Sequence, residues 1–167
     1  MLPTFNLLRP ADGSPVTTPA TKEMALGVYF LTSENKVISP YRSLFADPAE
    51  AICAYQNQKV HLRQKITVRR GKQNLETTVG RLFFNEVLPE GFDFVNEAVT
   101  SATIKQLLTK AYNTQTHERV VEMIDAIKDL GFWAGTASGL SFGIADACVL
   151  PEKRKMITGA EAEVADI

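Results

Sequence analysis

The sequence has few cysteines, no long apolar run and no excess of charge of one sign. Its two cysteines, Cys53 and Cys148, lie far apart among apolar neighbours, which predicts two reduced core thiols, with a disulfide as the minority alternative. No apolar run approaches the ~18 residues of a membrane span, and no signal peptide is visible. We therefore expect a cytoplasmic protein without a membrane partner. The net charge of −1 argues against binding nucleic acid through phosphate contacts alone.

Motifs for metal, phosphate and nucleophilic chemistry are also scarce. With two histidines, His61 and His117, and no CxxC or HExxH spacing, the sequence predicts no metal site, because zinc needs three or four ligands. No glycine-rich phosphate loop follows a strand. The stretch around Ser141 matches G-x-S-x-G, but a helix precedes it and neither histidine follows it. A small hydrolase built on Ser141 is thus a minor hypothesis, and the glycines there are better suited to close packing or turns.

Apolar periodicity predicts an α+β fold, with a β-rich first half containing hairpin strands and a helical second half. Residues Val60–Arg70 alternate between apolar and polar, which predicts a half-buried strand. A turn at 71–74 leads into Leu75–Leu88, which we interpret mainly as the returning strand of a hairpin. The change of pattern divides the chain into a β-rich part, 1–94, and a helical part, 95–167.

Capping residues locate the helices. Lys22–Thr32 is compatible with a helix or a buried strand, and periodicity leaves both open. Asp47, followed by Pro48, is a typical helix start. We predict further helices from Ser101 and from the capping residue Thr116, and a final one from Pro151 that runs to the last residue without a stop signal.

Two charged faces are candidate contact surfaces. The outer face of the first hairpin strand is basic and suits a nucleic acid, a triphosphate or an acidic partner; its residues are His61, Arg63, Lys65 and Arg69. One face of the helix that follows Thr116 is acidic and suits a basic partner; its residues are Glu118, Glu122, Asp125 and Asp129. For both faces a simple solvated surface is the alternative interpretation.

Five stretches together resemble the β′ subunit of bacterial RNA polymerase. They are Asn6–Pro15 (NLLRPADGSP), Leu26–Thr32 (LGVYFLT), Thr77–Gly91 (TTVGRLFFNEVLPEG), Pro151–Lys153 (PEK) and Ala160–Val164 (AEAEV). The stretches extend over nearly the whole chain and follow the order in which that family has them.

The resemblance implies the pore domain and the start of the funnel, which wall the secondary channel. In the family, nucleoside triphosphates enter there, backtracked RNA leaves, and transcript-cleavage factors dock at the rim. The implied partners are the rest of β′, the other polymerase subunits, DNA, RNA and triphosphates. The catalytic magnesium is bound by residues upstream of this region, so no cofactor and no catalytic residue are expected within it. The chain would be inactive alone.

Residue by residue, the resemblance places Asn6, Arg9, Asp12 and Arg81 near the active centre. For Arg81 a structural ion pair is an equal alternative. Ser101 and Ala102 stand where the family often has two lysines that face the channel. We expect the chain to be part of a longer subunit, because its last helix has no stop signal. The rival hypothesis is a free-standing interaction or adaptor module derived from the same domain.

Overall fold

Six α-helices and one three-stranded sheet form the part of the chain that the computed structural model describes, namely residues 22–37, 44–71, 73–141, 143–147 and 151–165. The helices are α1 (Glu23–Thr32), α2 (Pro48–Gln56), α3 (Val79–Glu86), α4 (Ser101–Thr114), α5 (His117–Ser138) and α6 (Lys153–Ala165). The strands are β1 (Leu44–Phe45), β2 (Lys65–Arg70) and β3 (Gln73–Thr78). The α+β class is confirmed, with the hairpin in the first half of the chain.

The sheet has the order β1-β2-β3. Strand β1 is parallel to β2, whereas β2 and β3 form the antiparallel hairpin, in which Lys65 pairs with Thr78 and Arg70 with Gln73. Ile66 and Val68 are buried, so the predicted alternation is confirmed along β2. The strand is shorter than predicted, however, because residues 60–64 form turns before it begins.

The prediction of one long returning strand over 75–88 is wrong beyond Thr78. At that residue the hydroxyl accepts a hydrogen bond from the backbone N–H of Arg81 (3.2 Å), which caps a helix. Helix α3 then buries Val79, Leu82 and Phe84. The apolar residues of this run are compatible with either a strand or a short amphipathic helix. The cap at Thr78 favours the helix.

The other helix starts follow the capping residues closely. The segment 22–32, for which the sequence allowed a helix or a buried strand, contains the helix α1. Asp47 accepts a hydrogen bond from the backbone N–H of Glu50 (2.8 Å), with Pro48 in the first turn. Thr116 caps α5, as predicted. Helix α4 begins at Ser101, as predicted, and the preceding residue Thr100 caps it.

Two hydrophobic clusters form the core. The larger cluster joins α1, α3, α4 and α5, and its fully buried members include Leu31, Phe84, Ile104 and Ile127. The smaller one lies between the sheet, α2 and α3. The larger cluster therefore takes residues from both sides of the predicted boundary at 94/95, which itself stays a prediction.

Glycines allow the backbone of α1 to come into direct contact with the backbones of two other helices. A Cβ atom built on Gly27 would collide with the carbonyl oxygen of Gly131 in α5. One built on Gly131 would lie 2.7 Å from the carbonyl oxygen of Met24, and one on Gly80 in α3 would collide with the carbonyl oxygen of Leu31. These glycines serve close packing, whereas Gly139 ends α5 in the left-handed conformation.

The predicted core position of Cys53 is wrong, because this thiol is exposed. Helix α2 buries Ala51 completely, and a residue two positions further lies about 200° around a helix. Cys53 therefore faces away from the smaller core. Cys148 lies outside the described residues.

Replacing Gly27 with alanine should destabilise the fold by about 2–4 kcal/mol, because the added methyl group meets a backbone carbonyl that cannot rotate away. Urea unfolding, followed by circular dichroism, measures this. The matched control is Gly159→Ala in α6, where an added Cβ has no neighbour within 4 Å. That change should be neutral or stabilise the helix by up to about 1 kcal/mol. Equal effects at the two positions would contradict the close-packing argument.

Candidate functional site

The strongest candidate site is a hydrogen-bonded junction where the end of α1, strand β3, helix α3 and the segment 95–99 meet. We call it the Arg81 junction, and it consists of Thr32, Glu76, Arg81, Asn85, Val95, Asn96 and Val99. Three of these residues belong to the TTVGRLFFNEVLPEG stretch that carries the family resemblance most specifically, or lie at its edge.

Arg81 links α1 to the segment that leads into α4. Its Nε donates to the carbonyl oxygen of Thr32 (2.9 Å), and its Nη1 donates to Oδ1 of Asn96 (3.2 Å). Thr32 is the last residue of α1, so the guanidinium group lies at the negative end of the helix dipole. The charge therefore stabilises the helix end while the fork of the side chain fixes the neighbouring segment.

Two asparagines hold the backbone of that segment. Asn85 donates to the carbonyl oxygen of Val95 (2.9 Å) and accepts from its N–H (2.8 Å), so it pairs with the segment as a strand would. Asn85 also donates to the carbonyl oxygen of Arg81 (2.8 Å). Asn96 donates to the carbonyl oxygen of Glu76 in β3 (2.8 Å). The segment thus stays attached to both the sheet and α3.

The junction reaches into the core through Thr32. Its hydroxyl donates to the carbonyl oxygen of Val28 (2.8 Å) and accepts from the backbone N–H of Val99 (2.8 Å). Thr32 and Val99 are both buried. Because the buried hydroxyl of Thr32 both donates and accepts a hydrogen bond, its burial avoids a desolvation penalty. The bond to Val99 also fixes the chain one residue before the cap of α4.

Among the described residues, the two acceptors that Arg81 contacts are uncharged, so no structural ion pair of this side chain is seen there. The proximity of Arg81 to an active centre stays a prediction. Asn6, Arg9 and Asp12 lie outside the described residues.

The predicted basic face is split between two places. Lys65 and Arg69 lie exposed on β2, where Lys65 forms an ion pair with Glu76 on β3 (2.8 Å). The hydrogen bond that Lys65 donates to Glu76 raises the pKa of Lys65. His61 and Arg63 precede the strand, in the turns of residues 60–64. The four residues therefore do not share one strand face.

The four residues of the predicted acidic face, Glu118, Glu122, Asp125 and Asp129, are exposed on α5. Two cations on the same helix moderate its charge: Arg119 pairs with Glu122 (3.1 Å), and Lys128 pairs with Asp125 (2.9 Å). Lys128 also lies 3.5 Å from Asp129, and the hydrogen bond to Asp125 raises the pKa of Lys128. Contact of this face with a basic partner stays a prediction.

Within the described ranges, no group of three or more histidine, cysteine, aspartate or glutamate side chains could hold a metal ion. None of the described helices is long and apolar enough to cross a membrane. Ser141 lies exposed just after α5, so it follows a helix and not a strand. This local geometry does not favour the hydrolase hypothesis.

Sequence reasoning missed the roles of Thr32, Asn85 and Asn96. Thr32 and Asn85 belong to stretches that resemble the family, and Asn96 lies five residues beyond one, but an isolated polar residue gives no sign of its distant partner. The bond between Thr32 and Val99 joins residues 67 positions apart. Only the fold brings such pairs together.

Comparisons with known proteins agree on one family. The family described as RNA polymerase Rpb1, domain 3, matches residues 6–147. The chain is 41% identical over 164 residues to the DNA-directed RNA polymerase subunit beta' of Desulforudis audaxviator and 37% identical over 165 residues to that of Desulforamulus reducens. In both comparisons the match covers 98% of this chain and 14% of the relative. The protein from Borreliella burgdorferi is 36% identical over 167 residues, which is 100% of this chain and 12% of the relative.

Asn85→Ala should lower the free energy of unfolding by about 2–3 kcal/mol, because it leaves the N–H and carbonyl of Val95 without their partner. Chemical unfolding of the purified chain measures the loss. Asn74→Ala on β3 is the control, since this exposed residue should change stability by less than about 0.5 kcal/mol. A loss at position 85 no larger than the control would contradict the role assigned to Asn85.

Proposed function

Because this chain belongs to the RNA polymerase Rpb1 domain 3 family and corresponds to a segment of the bacterial β′ subunit, we propose that it acts in DNA-templated transcription as part of the wall of the secondary channel. The chain spans about one seventh of the length of these relatives. Its partners would be the rest of β′, the other polymerase subunits, DNA, RNA and triphosphates. Cleavage factors would dock at the funnel rim.

The Arg81 junction is the observation that carries this proposal. The most specific stretch of the family resemblance supplies Arg81 and Asn85, and both side chains hold backbone in place. A channel wall needs such fixed backbone, because triphosphates passing along it must meet the same surface at every cycle. The role we assign to these residues is therefore positioning, with the chemistry performed elsewhere in the assembled enzyme.

Magnesium belongs to the complete enzyme in this proposal. The described residues do not fit a magnesium site of their own, since they contain no suitable cluster of carboxylates, histidines or cysteines. We derive no step of the reaction from this chain, and we propose that the separate chain does not polymerise nucleotides.

Arg81 would act on the channel through the segment it holds. Its Nη1 bonds to Asn96, and five residues later the chain reaches Ser101 and Ala102, which are exposed in the first turn of α4. The family resemblance assigns these two positions to the channel face. Loss of the guanidinium group should therefore loosen the channel surface without removing a group that touches the reacting atoms.

Polymerase assembled with a full-length β′ subunit that carries Arg81→Ala should show an apparent KM for triphosphates that is roughly threefold to tenfold higher, with a smaller change in the maximal elongation rate. Arg81→Lys should restore part of the loss, because it retains the charge at the end of α1 but not the fork. Transcript elongation at varied triphosphate concentration provides the measurement.

Arg119→Ala is the matched control, because Arg119 is exposed on α5 and pairs only with the neighbouring Glu122 in the described structure. The Arg119→Ala change should leave both the apparent KM for triphosphates and the maximal elongation rate unchanged. Unaltered KM and elongation rate in the Arg81→Ala enzyme would contradict the positioning role. Stop codons directly flanking this segment in its gene would instead favour the free-standing adaptor module.

A further inference from the structure

A second concave site lies away from the Arg81 junction, between the end of α1, the C-terminal part of α5 and the turns that follow α2. We call it the Phe30 hollow. It is an open hollow of about 420 Å³, and its lining includes Phe30, Tyr55, Val60, His61, Leu62 and Ala137. This volume is within the range of about 300–1,000 Å³ that is typical of ligand pockets.

The rim of the Phe30 hollow is basic. His61 lines it, Lys59 is exposed next to the lining residue Val60, and Arg63 lies over the ring of Phe30. No carboxylate is among the described residues that line it. The ion pairs of the described residues involve other cations, so Arg63 and Lys59 keep their charge available to a partner.

Arg63 is held in place but keeps donors available. Its guanidinium carbon lies 4.5 Å from the centre of the Phe30 ring, and its Nε donates to the carbonyl oxygen of Ser33 (3.3 Å). Its two terminal nitrogens have no hydrogen-bond partner within the described ranges. An arginine fixed in this way is suited to bind a carboxylate, because little side-chain entropy remains to be lost.

The geometry favours a protein segment over a nucleic acid as the occupant. A base would need an open aromatic face, but Arg63 covers one face of Phe30 and Tyr55 makes a T-shaped contact with Phe83 (5.8 Å between centres). Val60, Leu62 and Ala137 provide an aliphatic wall that suits an apolar side chain. Two cations, Arg63 and Lys59, are also few for tracking a phosphate backbone.

We propose that the Phe30 hollow is a docking site for an acidic protein segment, which inserts one large apolar side chain between Phe30 and Ala137 while flanking carboxylates bind Arg63, His61 and Lys59. The apolar side chain supplies the affinity by burial, and the charges on the rim select an acidic partner and its orientation. This inference is independent of the channel-wall function, since it uses none of the residues of the Arg81 junction.

The test measures fluorescence anisotropy of labelled probes with the purified chain. The first probe is a short peptide with one phenylalanine flanked by aspartates and glutamates. The second has serine in place of the phenylalanine, and the third is a single-stranded oligothymidylate of matched charge. We expect the phenylalanine peptide to bind at least tenfold more tightly than either of the other probes, and more weakly as salt increases.

Two substitutions at the hollow locate the binding. Ala137→Leu fills the hollow and should weaken binding of the phenylalanine peptide about tenfold. Lys59→Glu reverses one charge on the rim and should weaken binding of the same peptide about threefold. The controls are Ala102→Leu and Lys105→Glu, both on exposed positions of α4, and neither should change the affinity. Circular dichroism checks that each variant keeps its helices.

Several results would overturn the proposal. They are equal affinity for the serine and phenylalanine peptides, tighter binding of the oligothymidylate, no measurable binding of any probe, or equal effects of the hollow and control substitutions. Lys59→Glu keeps the test decisive if Ala137→Leu impairs folding, because Lys59 is exposed and its side chain has no partner in the described structure.

Discussion

The fold depends on the backbone contacts of α1. Gly27 allows the backbone of α5 to approach α1, and Gly80 allows α3 to approach its last turn. Because the contacts are between main-chain atoms, no rotamer change can relieve an added methyl group. The larger core forms around this arrangement, since Val28 and Leu31 on the buried side of α1 meet side chains from α3, α4 and α5.

The Arg81 junction is a consequence of the same contacts. Close approach at Gly80 brings α3 to the end of α1, and one residue later Arg81 reaches the carbonyl oxygen of Thr32. From there the hydrogen bonds extend to Asn96 and Val99. Most of these bonds use a backbone group, which limits the conformations that the segment at 95–99 can adopt.

Local signals in the sequence predicted the features that depend on local chemistry. Asp47 and Thr116 were sufficient to place two helix starts, and alternation predicted the exposed and buried sides of β2. The strand expected over 75–88 was wrong beyond Thr78 because apolar residues at mixed spacing fit two structures, and the Thr78 cap together with the tertiary contact at Gly80 favours the helix. The Phe30 hollow could not be predicted from the sequence, because its walls come from three separate parts of the chain.

The surface of the described chain has two different kinds of candidate contact area, and each suits a different kind of partner. Leu26 and Tyr29 are about half exposed on a helix that is apolar on every side, which is typical of a helix buried in a larger protein. That face fits the proposal that the chain works within a subunit. The Phe30 hollow combines apolar walls with a charged rim, as non-obligate interfaces do. Permanent burial would cost the hydration of Arg63, His61 and Lys59, so a partner that brings carboxylates and can leave again is the better match.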